Sequence, residues 1–140
     1  MPAPHCRALA RRLTLPLLAA LAGPAAAEVW VVTDSNHPVQ APAGARVIEL
    51  DRPARLQADL AIGLPADPTA AATIARQRLA EGGTALQRRI AAAYQDVVDA
   101  WSLGVTTIPA VIVDRRYVVY GEPQVGAAVA RIEAHRRTQP

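Results

Sequence analysis

Asp34, Ser35 and His37 together hold the parts of a hydrolytic set: a hydroxyl nucleophile, an imidazole base and a carboxylate. All three fall in one short stretch, Thr33-Asp34-Ser35-Asn36-His37-Pro38. A serine becomes a nucleophile only when a base lies within hydrogen-bond reach and a third group orients that base. Side chains this close in a single turn rarely meet that condition. The same stretch reads as ordinary turn chemistry, with Asp34 and Ser35 satisfying backbone groups and His37 at the surface. Hydrolysis or chaperone-like catalysis by the Asp34–Pro38 loop is therefore the second of two readings.

Other chemistries are limited by what the chain contains. Arg7, Arg11 and Arg12 precede a short apolar run, Leu13 to Ala22, and Ala25-Ala26-Ala27 offers small residues for cleavage. This is the pattern of a secretory signal peptide, and residues 1–27 are expected to be removed, leaving a periplasmic domain over 28–140. The apolar run is short of the roughly 20 residues a membrane helix needs. The only cysteine, Cys6, lies ahead of that run. The mature chain then has no thiol for disulfides, nucleophilic attack or metal binding. Beyond the leader the imidazoles are His37 and His135, far apart in sequence, and the carboxylates are scattered. No metal site and no cofactor is expected.

Charge excludes a further class. All fifteen basic residues are arginine. With the three in the leader gone, twelve face twelve acids and the mature chain is formally neutral. A DNA-binding domain would show a clustered basic face. The pairs Arg88-Arg89, Arg115-Arg116 and Arg136-Arg137 read as solvated surface, so no direct nucleic-acid contact is expected.

The elements that hold these residues follow from pattern. Glu28 to Thr33 is β-branched and aromatic and reads as a buried strand. Residues 34–45 carry three breakers, Pro38, Pro42 and Gly44, and hardly make a helix. Arg46 to Leu50 is a second strand. Ala54 to Ile62 forms a short helix stopped by Gly63-Leu64-Pro65. Asp67-Pro68 pairs a capping acid with proline at the first helical position. That helix runs to about Glu81, where Gly82-Gly83 breaks or weakens it. Thr84 caps the next, with Gln87 completing a capping box. Leu86, Ile90, Tyr94, Val97 and Trp101 recur along one face of it. Tyr94 and Trp101, with Trp30, are assigned to the core. Gly104 suits the left-handed position after that helix. Strands over Ala110–Asp114 and Tyr117–Tyr120 follow, joined by a tight turn. Tyr117 and Tyr120 flank an edge strand. Val125, Ala128, Val129 and Ile132 form the buried face of a last helix.

Between the long helix and the third strand lies Gly104-Val105-Thr106-Thr107-Ile108-Pro109-Ala110-Val111. Proline has no N–H to give, so it belongs at a strand's first residue or at an edge, and an X–Pro bond can be cis at modest cost. Helix, loop, Thr-Ile-Pro, buried strand, tight turn, strand and final helix resemble the cis-proline half of thioredoxin-like proteins. With Arg116-Tyr117-Val118-Val119-Tyr120-Gly121-Glu122-Pro123, Gly63-Leu64-Pro65-Ala66-Asp67-Pro68 and Ala75-Arg76-Gln77-Arg78-Leu79, most of the mature chain resembles a family of small exported proteins encoded in integrating conjugative elements, a domain of unknown function.

The resemblance implies an α/β, thioredoxin-like fold: a central mixed sheet of about four strands with a helical insertion before the cis-proline strand. Redox members carry Cys-x-x-Cys where this chain has Thr33 to Pro38, and thiol–disulfide exchange needs a thiolate. Their usual activity is excluded here. What the resemblance leaves is binding: Thr107, Ile108 and Pro109, facing Ser35 and His37, would grip an extended partner segment. The partners implied are other proteins of the conjugation apparatus, contacted at a type IV-like secretion channel. A lesser reading is a subunit that assembles through its exposed edge strand.

Overall fold

The computed structural model describes residues 27–139. All but the last residue of the expected leader lie outside that range. The chain is α/β, with four strands in one mixed sheet and three helices. The elements are β1 (Val29–Thr33), β2 (Arg46–Glu49), α1 (Arg52–Ala61), α2 (Pro68–Ser102), β3 (Ala110–Val113), β4 (Tyr117–Tyr120) and α3 (Val125–Thr138).

The sheet runs in the order β2-β1-β3-β4. β1 pairs with β2 in parallel, with Val31 opposite Val47 and Thr33 opposite Glu49. β3 lies antiparallel to β1, with Val32 opposite Ala110, and β4 antiparallel to β3. β1 and β3 are the inner strands and are the most apolar. All four residues of β3 are buried, as expected of a strand covered on both faces.

Alternation along the strands divides the core in two. Trp30, Val32, Ile48, Ala110 and Ile112 face α2 and pack with Ala100, Leu103, Val105 and Ile108. Val31 and Val111 face α3 and pack with Val125, Ala128 and Val129. No helix lies between β1 and β2; turns carry the chain there, and Val39 and Ala45 cover part of the α3 face. A single parallel bridge, Gln40 to Gln124, ties that connection to the start of α3.

The interruption expected at Gly82-Gly83 falls inside α2, where two helical segments meet at a kink and Gly83 leaves helical geometry at φ 52° and ψ −152°. Glycine takes such a conformation without a Cβ penalty. One expectation needs correction, the aromatic stripe. Trp30 is buried at 4 % exposure, but Tyr94 is 47 % and Trp101 76 % exposed. The buried line of α2 is Ala93 and Ala100, one residue earlier in each turn. Alanine lets the helix approach the sheet closely, and the larger residues beside it are rotated outward.

The helix ends follow their sequence signals. Asp67 accepts from the Ala70 N–H at 2.8 Å at the start of α2. Gly104, at φ 70°, donates its N–H to the Trp101 carbonyl at 2.9 Å at its end. α2 is fastened to β2 by Arg46, which bonds Asp96 at 2.7 Å and Asp99 at 2.6 Å and stacks over Trp30 at 4.1 Å. Among the described residues no helix is long and apolar enough to cross a membrane.

Candidate functional site

One end of the sheet collects every residue singled out as a candidate. The Ile108–Pro109 peptide bond is cis. Continuing the register of β1 and β3 one step beyond Val32 and Ala110 sets Thr33 beside Pro109. The loop after β1 therefore leaves the sheet next to the loop that enters β3. The Pro109 carbonyl accepts from the Gly121 N–H at 2.8 Å, which fixes this corner to the end of β4.

The loop after β1 is held by its own polar groups. Thr33 donates its hydroxyl to the His37 carbonyl at 2.5 Å. The Asp34 carboxylate accepts from the N–H groups of Asn36 (3.0 Å) and His37 (2.9 Å) and meets the His37 Nδ1 at 2.6 Å. Ser35 turns the other way and donates its hydroxyl to Asp51 at 2.5 Å. Asp51 is the residue before α1, yet its carboxylate makes no cap there. It serves Ser35 and lies 3.5 Å from Arg55, which also pairs with Glu49.

The electrostatics follow from these contacts. The His37 side chain, followed by the neighbouring N–H groups, holds Asp34 below the usual carboxylate range. The Ser35 hydroxyl does the same for Asp51, with its backbone N–H and Arg55 adding to it. Ser35 and His37 are thus each bonded to a different carboxylate, and among the described residues no hydrogen bond joins them. The partner of the Ser35 hydroxyl is a carboxylate of depressed basicity, a poor acceptor for a serine proton.

Two depressions open at this end, and they share no lining residue. One, of about 380 Å³, is lined by Thr33, Asp34, Ser35, Pro38, Glu49 and Arg55, with Val39 and Val47. The other, of about 250 Å³, is formed by Leu50, Ala100, Trp101, Val105 and Thr106 with Thr107 and Ile108. The structure places Thr107 and Ile108 in the second depression and Ser35 in the first, with His37 turned to Asp34. Sequence reading did not find Leu50, Trp101 and Val105 as rim residues. The available signal was the Ala93–Ala100 spacing of seven, which marks the helix face with room for close approach and leaves Trp101 beside it.

Among the described residues, no cluster of three or more histidine, cysteine, aspartate or glutamate side chains is arranged to hold a metal ion. The family described as "Protein of unknown function (DUF1525)" matches residues 26–138. This chain belongs to that family. No curated protein and no solved structure gives a significant match.

Proposed function

We propose that this chain is a non-catalytic, thioredoxin-like periplasmic accessory protein of an integrating conjugative element, acting in transfer through contacts with other proteins of the apparatus. The observation that carries the binding reading is Trp101. A tryptophan 76 % exposed lines a depression together with Leu50, Val105 and Ile108, the residue before the cis-proline. Large aromatic side chains beside a pocket are the commonest energetic anchors of protein contacts. Thr106 and Thr107 add backbone groups to which an extended partner segment can bond.

Three further features support the reading. The sheet order β2-β1-β3-β4, with β1 and β2 parallel and a cis-proline opening β3, suits a thioredoxin-like scaffold that has lost the helix between its first two strands. The chain after Cys6 has no cysteine, so that scaffold cannot do thiol chemistry. The Ser35 and His37 hydrogen bonds run to separate carboxylates, which favours binding over hydrolysis. The assignment to conjugative transfer rests on the sequence resemblance.

The test is a tagged chain expressed in a mating-competent donor. Trp101→Ala is expected to weaken co-purification of channel proteins by about tenfold or more, the effect of losing one aromatic anchor, and to lower transfer frequency. Ser35→Ala and His37→Ala should leave both unchanged. Undiminished co-purification with Trp101→Ala, together with a hydrolytic activity lost in Ser35→Ala, would reverse the conclusion.

A further inference from the structure

β4 is an edge strand at the opposite margin of the sheet from β2. Its hydrogen-bonding phase is set by the Gly121 N–H donating to Pro109 and by Val119 standing opposite Val111. Tyr117, Val119 and Gly121 therefore bond to β3, and the N–H and C=O groups of Val118 and Tyr120 point away from the sheet. The side chains of Val118 and Tyr120 stand on the α2 side of the sheet, opposite Ile112 and Ala110, at 43 % and 41 % exposure. Among the described residues no helix packs over them on that side. An unpaired edge with exposed apolar side chains is a template for another strand.

The other side of the same edge has a different character. There β4 and α3 enclose a depression of about 260 Å³ lined by Arg116, Tyr117, Val119, Arg131, Ile132 and His135, with Val118 at its margin. Arg116 stands over the Tyr117 ring, and among the described residues no carboxylate pairs with it. Arg131 is 67 % exposed and, among the described residues, its one carboxylate partner is Glu122, at 3.5 Å. His135 lies edge-on to Tyr117, with 6.4 Å between ring centres. Among the described residues, the groove's lining thus has two arginines and a histidine, with Glu122 the one carboxylate paired to them; Arg136, also over the Tyr117 ring, is paired with Asp114.

We propose that β4 accepts an added strand from a partner protein whose residues alternate acidic and apolar. Pairing to the outward groups of Val118 and Tyr120 sends alternate side chains of the added strand to opposite faces. Those on the α3 side meet Arg116, Arg131 and His135, which acidic residues complement. Those on the α2 side lie against Val118 and Tyr120, which apolar residues cover. A second copy of this chain fits less well, because antiparallel β4–β4 pairing would bring two such basic grooves together. Single-stranded nucleic acid would meet the arginines but leave the alternating N–H and C=O groups of the edge unanswered. This surface is separate from the Trp101 depression, and its occupancy does not depend on the reading of that site.

The probes are two synthetic eight-residue peptides, one alternating valine with glutamate and one alternating valine with lysine, and a thymidine oligonucleotide. Each is titrated into the isotopically labelled full chain. The glutamate peptide is expected to shift the Val118 and Tyr120 amides and slow their hydrogen exchange, to weaken about tenfold or more on raising salt from about 0.05 to 0.5 M as screening requires, and to bind Trp101→Ala equally well. The lysine peptide and the oligonucleotide should leave those amides unchanged. Arg116→Glu with Arg131→Glu should invert the peptide preference, and both positions are exposed, so the fold is retained. Equal response to both peptides, protection of those amides by the oligonucleotide, concentration-dependent protection without any peptide, or no response at millimolar glutamate peptide would each overturn the proposal.

Discussion

Asp51 stands directly before α1, and its carboxylate reaches back to Ser35 instead of capping that helix. The Ser35 N–H donates to the same carboxylate at 3.3 Å, so two bonds link the loop after β1 to the start of α1, and Asp51 contributes with Asp34 to the response to acid. Both carboxylates are held below the usual range in the folded chain. The folded state then binds fewer protons than the unfolded state once the pH falls below the unfolded carboxylate value of about 3.9. Stability from these groups is complete above that value and is lost as the pH falls through the lower folded values. Thermal melts are expected to show a midpoint that declines below about pH 4. Asp51→Ala should melt lower than the parent near neutral pH and decline less steeply in acid. A midpoint in Asp51→Ala that falls as steeply as the parent's would remove the Ser35 contact from the explanation.

Hairpin geometry is also decided residue by residue. Asp114 and Arg115 both take left-handed backbone, at φ 52° and 53°, without being glycine. Asp114 is held there by the Glu28 N–H at 3.0 Å and by Arg136 at 2.9 Å. Arg115 lies 4.7 Å from the Trp30 ring centre. Left-handed geometry costs an L-residue roughly 1–2 kcal/mol, and these contacts offset it. Asp114→Gly is expected to be close to neutral by denaturant titration, since relief of the backbone opposes loss of the two side-chain bonds. Asp114→Ala keeps the backbone cost and loses the bonds, and should be destabilised by about 1–2 kcal/mol. If the two variants unfold at the same denaturant concentration, the left-handed backbone carries no cost at this turn; if Asp114→Ala is as stable as the parent, the side-chain contacts do not hold it.

At the scale of elements, α2 decides most of what the sheet presents. Its buried line of Ala93 and Ala100 leaves Tyr94 and Trp101, each one residue further on, exposed. Filling that line should push the helix away from β1 and β2. Ala100→Leu is expected to cost about 1–3 kcal/mol by overpacking. It should also raise the near-ultraviolet mobility of Trp30 more than that of Trp101, which is already exposed. Trp101→Ala, in contrast, should change stability by less than about 0.5 kcal/mol, as for an ordinary surface site, while removing the rim of the candidate groove. A large loss of stability in Trp101→Ala would return that residue to the core, where its helical spacing first put it.

The whole molecule relies on two thin apolar layers around one four-stranded sheet. Ile48 is fully buried near the edge of one layer, and Ile48→Ala should cost about 2–5 kcal/mol. Since no cysteine follows Cys6, the unfolding midpoint should be the same with and without reductant. Much of this architecture was legible in the chain. The apolar runs of β1 and β3, the Asp67-Pro68 start, Gly104 and the Ile108-Pro109 entry each announce local geometry through one residue's sterics or hydrogen-bonding capacity. Tyr94 and Trp101 were misplaced because hydrophobic spacing identifies an apolar helix face without saying where a neighbouring element will press on it.

Composition and local sterics by themselves determined the strands, the Asp67-Pro68 and Gly104 ends of α2, the helix breakers over residues 34–45 and the lack of any thiol beyond residue 6. These depend on each residue and its near neighbours. Strand order, the separation of Ser35 from His37, the exposure of Trp101 and the basic groove beside β4 were decided only in three dimensions. Each arises from contacts between segments distant in the chain, such as Ser35 with Asp51 or β4 with α3, and such contacts leave no mark on the sequence near either partner.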